Sequence, residues 1–165
     1  MMNAEIIAQR GWKLPDEAAT AALADGLAVA LDGGLVLYLH GPLGAGKTSF
    51  ARALLTSLGV GERIKSPTYT LLEGYRTASA KPAWHLDLYR IADPAELEWL
   101  GLDALEDRSA VILVEWAERG SGALPAADME LHLDYAGHGR KALLRACSVH
   151  GSHMLERLDV PALQA

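Results

Sequence analysis

Eight consecutive residues carry the densest chemical signal in the chain: Gly41-Pro42-Leu43-Gly44-Ala45-Gly46-Lys47-Thr48. Glycines at 41, 44 and 46 let backbone N–H groups close on an anion and supply φ/ψ values that side chains resist. An ammonium at Lys47 would then meet β- and γ-phosphates, and the Thr48 hydroxyl would ligate magnesium. This is the spacing of a phosphate-binding P-loop, with Leu43, Ala45 and Ser49 completing the cradle. The expected cofactors are ATP and Mg2+. GTP-binding proteins generally read guanine through an Asn-Lys-x-Asp segment, and the sequence has none. The competing reading is a glycine-rich turn in front of a helix.

A magnesium-nucleotide site needs a further acidic group, usually at the end of a neighbouring buried strand. Glu115 follows the uninterrupted apolar run 110–114 and stands in that position. It could hold magnesium or orient an attacking water, the alternative being an ordinary strand-end charge. In Trp84-His85-Leu86-Asp87-Leu88-Tyr89-Arg90, strand alternation puts His85, Asp87 and Tyr89 on one face. Asp87 is then a candidate base or water-mediated metal partner, against the alternative of a solvated sheet face. Ser66-Pro67-Thr68 follows the P-loop helix, where a hydroxyl such as that of Thr68 can sense a γ-phosphate; the same triplet also suits a plain turn. Trp116 is open to either ligand stacking or packing. The histidines other than His85 show no metal-ligand spacing along the chain, and His40 is read as structural.

The elements that must position these groups can be read from periodicity. Pro15-Asp16-Glu17 opens a helix that runs to Leu31 and stops at Gly33-Gly34. The apolar run 35–39 is a strand buried on both faces, and residues 49–58 form the helix after the P-loop, so the motif has the strand–loop–helix context it needs. Residues 69–75 and 83–89 read as strands around a turn at 78–82, with short helical pieces at 94–100 and 102–106 and a buried strand at 110–114. Residues 129–135 and 140–149 pair as a hairpin. Ile6 and Ile7 suggest a short opening strand, and 152–158 a closing helix. The pattern predicts an α/β fold: one P-loop NTPase-like domain over residues 1–165, with a mixed parallel and antiparallel central sheet flanked by helices.

The chain has 165 residues, half of them hydrophobic and 22% charged, with net charge −6. That length supports one buried core, and the acidic balance argues against strong direct nucleic-acid binding. Arg140, Lys141 and Arg145 form a local basic group, read as a solvated edge. The single cysteine, Cys147, excludes an internal disulfide and reads as a small core residue. Neither a signal peptide nor a membrane span is visible, so a cytoplasmic location is expected.

Taken in order, Gly-x-Leu-Gly-Ala-Gly-Lys-Thr, Ser-Pro-Thr-Tyr-Thr, His-x-Asp-x-Tyr-Arg and Val-Glu-Trp resemble the TsaE (YjeE) family, bacterial ATPases of the tRNA threonylcarbamoyladenosine (t6A) pathway. The resemblance runs from about Pro15 to Arg145. It implies a P-loop domain with an unusual mixed sheet, magnesium held by Thr48 and Glu115, and a catalytic or metal-shell role for Asp87. It also implies that Asp16, Glu17 and Arg140 approach the base or sugar of the nucleotide. Members are weak ATPases alone and act with a TsaB–TsaD pair, in which TsaD modifies A37 of tRNAs decoding ANN codons; ATP would reset that complex, and the partners would hold the tRNA. One departure stands out. The family commonly has Asp where this chain has Pro42, which removes a carboxylate and a backbone donor. Ser49 replaces a frequent second Thr. Two other functions remain open: a small-molecule kinase using Asp87 as base, though without an Arg-rich lid segment, and a nucleotide-sensing module with negligible turnover.

Overall fold

The computed structural model describes residues 5–61 and 63–163. In chain order the elements are β1 (Ala8–Leu14), α1 (Glu17–Ala30), β2 (Leu35–His40), α2 (Lys47–Ser57), β3 (Leu72–Arg76), β4 (Pro82–Asp87), β5 (Val111–Glu115), β6 (Met129–Ala136), β7 (Gly139–Ala146) and α3 (Val149–Arg157). Short 3-10 segments cover Pro94–Leu100, Leu102–Glu106 and Ala117–Gly120. The strands form one sheet in the order β1-β7-β6-β2-β5-β4-β3. Strands β4, β5, β2 and β6 run parallel to one another, while β1, β7 and β3 join antiparallel. This is the mixed sheet the sequence pattern predicts.

Alternation in β2 explains how the sheet is covered. Leu35, Leu37 and Leu39 are buried and join a core with Leu23 and Leu27 of α1, Phe50 and Leu54 of α2, and Met154 of α3. Val36 and Tyr38 face the other way, towards a smaller cluster with Ile112, Val114, Leu88 and Leu97. β5 contributes to both clusters, and all five of its residues are buried. Each fully buried aliphatic side chain of this size contributes about 1.5–3 kcal/mol, which makes β5 the best-anchored element beside β2. The ends of the parallel strands therefore form a stiff platform, the usual location of ligand sites in open α/β sheets.

The helix start at Pro15-Asp16-Glu17 is as expected. Asp16 is the N-cap of α1, and its carboxylate accepts the Ala19 N–H at 2.8 Å. Other boundaries shift. The opening strand is not at Ile6 and Ile7 but at Ala8–Leu14, where it pairs along its whole length with β7. The strand expected from residue 69 starts at Leu72, and the one expected to reach residue 89 ends at Asp87. The closing helix begins earlier, at Val149, capped by Ser148. Arg140, Lys141 and Arg145 do not sit on a sheet edge, because β7 lies between β1 and β6. Cys147 lies just past β7, half-buried rather than in the core. Among the described residues, no helix is long and apolar enough to cross a membrane.

Candidate active site

The P-loop connects β2 to α2 and lies over the ends of the parallel strands. Two of its glycines answer to packing as much as to a ligand. A side chain at Gly41 (φ +147) would collide with the Leu133 carbonyl of β6, and one at Gly44 (φ +79) would meet the Tyr135 hydroxyl. Pro42 is exposed, and its carbonyl accepts the Ala45 N–H at 3.1 Å, which closes the turn. Buried Ala45 anchors the loop, and Ser49 lies exposed on the first turn of α2.

Parallel register brings the acidic partners to the loop. Asp87 of β4 pairs with Glu115 of β5, and Glu115 pairs with Leu39 of β2, two residues before Gly41. Glu115 is only 3% exposed, yet its charge is well met. The Thr48 hydroxyl lies 3.0 and 3.1 Å from its two oxygens, and His85 Nε2 is 2.7 Å from Oε2. His85 is itself 1% exposed. A buried carboxylate stripped of such partners costs about 3–5 kcal/mol, so His85 acts as a positioning residue that fixes the orientation of Glu115 beside the P-loop.

Lys47 is buried, with Nζ 2.6 Å from the Gly41 carbonyl and 3.9 Å from the centre of the Trp116 ring. Burial lowers its pKa, against the opposing pull of Glu115, Asp87 and Glu118. Asp87 is shifted upward. Burial is the main cause and the Glu115 charge adds to it, while the Tyr89 N–H bonded to Oδ1 at 3.0 Å works the other way. A carboxylate raised in this way is a better proton acceptor than an exposed Asp. Trp116 adopts a left-handed conformation (φ 60). For a bulky residue this stores strain of order 1–3 kcal/mol. That conformation places the ring over Lys47 and 5.0 Å from Tyr89.

A pocket of about 350 Å3 is lined by Leu43, Gly44, Gly46, Lys47, Thr48, Ser49, Thr68, Asp87 and Glu115, among others. Thr68 reaches it with its hydroxyl 2.7 Å from that of Ser66. Gly44, Gly46 and Ser49 also line a second groove of about 750 Å3 on the other side of the loop, together with Asp16, Glu17, Arg52 and Arg140. The structure thus gathers the sequence candidates into two adjoining compartments, except Gly41, which packs against Leu133 of β6, and His85, which lies behind Glu115. Tyr89 lies just beyond the end of β4 and is exposed, yet it also lines the phosphate compartment, while His85 and Asp87 are buried, so this face of β4 is a site wall and not solvated.

Three contributors carry weaker sequence signals. His85 shares the alternating face of Asp87, but its bond to Glu115 depends on pairing across thirty residues. Tyr135 and Arg140, opposite each other in the β6–β7 hairpin, hold the loop tip: the Tyr135 hydroxyl donates to the Leu43 carbonyl at 2.6 Å, and Arg140 to the Gly44 carbonyl at 3.1 Å. Tyr135 has no local signal at all.

The fold and the loop define a P-loop NTPase-like α/β protein. The family described as "Threonylcarbamoyl adenosine biosynthesis protein TsaE" matches residues 14–142. The TsaE protein of Haemophilus influenzae is 42% identical over 121 residues, spanning 73% of this chain and 76% of that one. The TsaE of Bacillus subtilis is 35% identical over 135 residues, with 82% and 84% covered. The crystal structure of Bacillus subtilis YdiB superposes with a TM-score of 0.77 at 30% identity, covering 93% of this chain and 96% of that one. The chain belongs to the TsaE family.

Proposed function

We propose that this protein binds and hydrolyses Mg-ATP as a component of tRNA threonylcarbamoyladenosine biosynthesis, acting on a TsaB–TsaD complex that carries the tRNA. The observation that carries the reading is the array of buried Lys47, Glu115 and His85 with half-buried Thr48, and Asp87 beside it. The fit to magnesium rests on its donors: a hydroxyl and a carboxylate, both hard oxygen ligands, held within 3.1 Å of each other at the P-loop. Thr48 and Glu115 would hold the ion, which would offset phosphate charge.

The chain's own groups supply the rest. Backbone N–H groups of residues 43–48 cradle phosphates at the N-terminus of α2. Lys47 is free to leave the Gly41 carbonyl for a phosphate, a charge-assisted bond of greater strength. Asp87, with its raised pKa, accepts a proton from attacking water, and Thr68 faces the terminal phosphate. In the 750 Å3 groove, Asp16, Glu17 and Arg140 meet the sugar and base. Pro42 contributes no carboxylate, so intrinsic turnover is expected to be low and partner-dependent. Exposed Tyr89, which lines the phosphate compartment, and exposed Tyr69, stacked under the Arg90 guanidinium, give a partner apolar contact there.

The test measures ATP hydrolysis and t6A formation with and without TsaB–TsaD and tRNA. Stimulated hydrolysis and t6A formation that needs this protein support the reading. No effect of the partners on either defeats the pathway assignment, and γ-phosphate transfer to a small metabolite without partners would favour a kinase instead.

A further inference from the structure

The sheet face opposite the nucleotide compartments carries a second cluster. The β2–β6 register sets His40 beside His132, and Tyr38 beside Glu130. The His40 and His132 rings stack with centroids 4.6 Å apart, and His40 Nε2 lies 2.7 Å from Glu130 Oε1. One donor atom from each of His40, Glu130 and His132 falls within 4.8 Å of the others. Nε2 of His132 is buried and has no hydrogen-bond partner among the described residues. On its far side Glu130 is steadied by Cys147, whose thiol lies 3.6 Å from Oε2.

The geometry points to a transition-metal site, with His40, His132 and Glu130 binding one Zn2+ or a similar borderline divalent ion. Two imidazoles and one carboxylate are a donor set that zinc takes in three-ligand sites. Ligands about 2.0–2.2 Å from zinc in a tetrahedral arrangement stand about 3.3 Å apart. For one ion the 2.7 Å pair must open slightly and the wider pairs close, and the two rings must turn out of their 19° stack so that both in-plane lone pairs converge. The Cys147 thiol donates to Glu130 Oε2, so it serves as a hydrogen-bond donor and not as a thiolate ligand. His40 and Glu130 side chains are 25% and 21% exposed, which leaves the ion a path from solvent. His40 is bonded directly to Gly41, so an ion held here would stiffen the strand that presents the P-loop.

The probe is Co2+ as a spectroscopic substitute, displaced by Zn2+, with the full-length chain and no nucleotide. One equivalent of Co2+ should give visible bands of a low-coordinate nitrogen and oxygen site, with no thiolate charge-transfer band. His132→Asn and Glu130→Gln should each weaken binding more than about tenfold. Glu115→Gln, on the other face, should leave it intact. Absent bands, a thiolate band, or binding that survives His132→Asn and Glu130→Gln but fails in Glu115→Gln would overturn the assignment. The wild-type spectrum decides even where a variant does not fold.

Discussion

Lys47 and Thr48, at the helix end of the P-loop, sit among buried charged groups, whereas Leu43 and Gly44, at its tip, are held by an exposed hairpin. At the helix end, Glu115, His85 and Asp87 come from β4 and β5, whose side chains are almost wholly enclosed. At the tip, Tyr135 and Arg140 are placed by a two-residue turn and face solvent on one side. Buried polar groups cost heavily when unpaired, so the helix end has little freedom to rearrange. Hydrogen bonds to an exposed side chain contribute only about 0.5–1.5 kcal/mol, so the tip can be released and reset. Under the proposed function, the first region would carry the chemistry and the second would govern nucleotide entry.

The largest effect is expected at the buried end. Asp87→Asn should cut ATP turnover by about 100-fold or more while leaving ATP affinity within a few-fold; equal losses in both would show that Asp87 only shapes the pocket. The same variant has a pH signature. Because the folded-state pKa of Asp87 lies above its ordinary value of 3.8, the native state binds the extra proton first. Stability from this group therefore falls as pH rises through the window above 3.8. Thermal melts across that acidic window should show a smaller pH slope for Asp87→Asn than for wild type.

Next in size is Lys47→Ala, expected to weaken ATP binding by about 100-fold, the loss of a charge-assisted phosphate bond. Micromolar affinity retained in this variant would remove the P-loop from the account. At the tip, Tyr135→Phe should change affinity only a few-fold and show mainly as faster nucleotide exchange in stopped-flow. A loss as large as that of Lys47→Ala would erase the contrast between the two ends. The smallest effect belongs to Asp16→Ala. Loss of the α1 cap costs about 1 kcal/mol, a fall of about 2–4 °C in Tm.

The buried end was readable in the sequence because its signals are local. Glycine spacing, the apolar run before Glu115 and the period-two pattern around Asp87 each lie within one element. The hairpin clamp was not readable, since Tyr135 meets Leu43 only through the β2–β6 pairing, 92 residues apart in the chain. The β1 strand was misplaced for a related reason. Gly11 and Lys13 blur its alternation, and its position is set by pairing with β7. The left-handed Trp116 also left no trace, because strain at a bulky residue follows from tertiary packing and not from its own propensity. His40, read as structural, acquires its partners from the same cross-strand register.

Everything at the buried end depends on Glu115 acting as an oxygen ligand beside Thr48 and not merely as the partner of His85. Calorimetric titration of ATP with and without Mg2+, in wild type and Glu115→Gln, separates these roles. The account predicts that Mg2+ strengthens ATP binding to wild type by at least about tenfold and has little effect on Glu115→Gln. Equal Mg2+ dependence in the two proteins would contradict it.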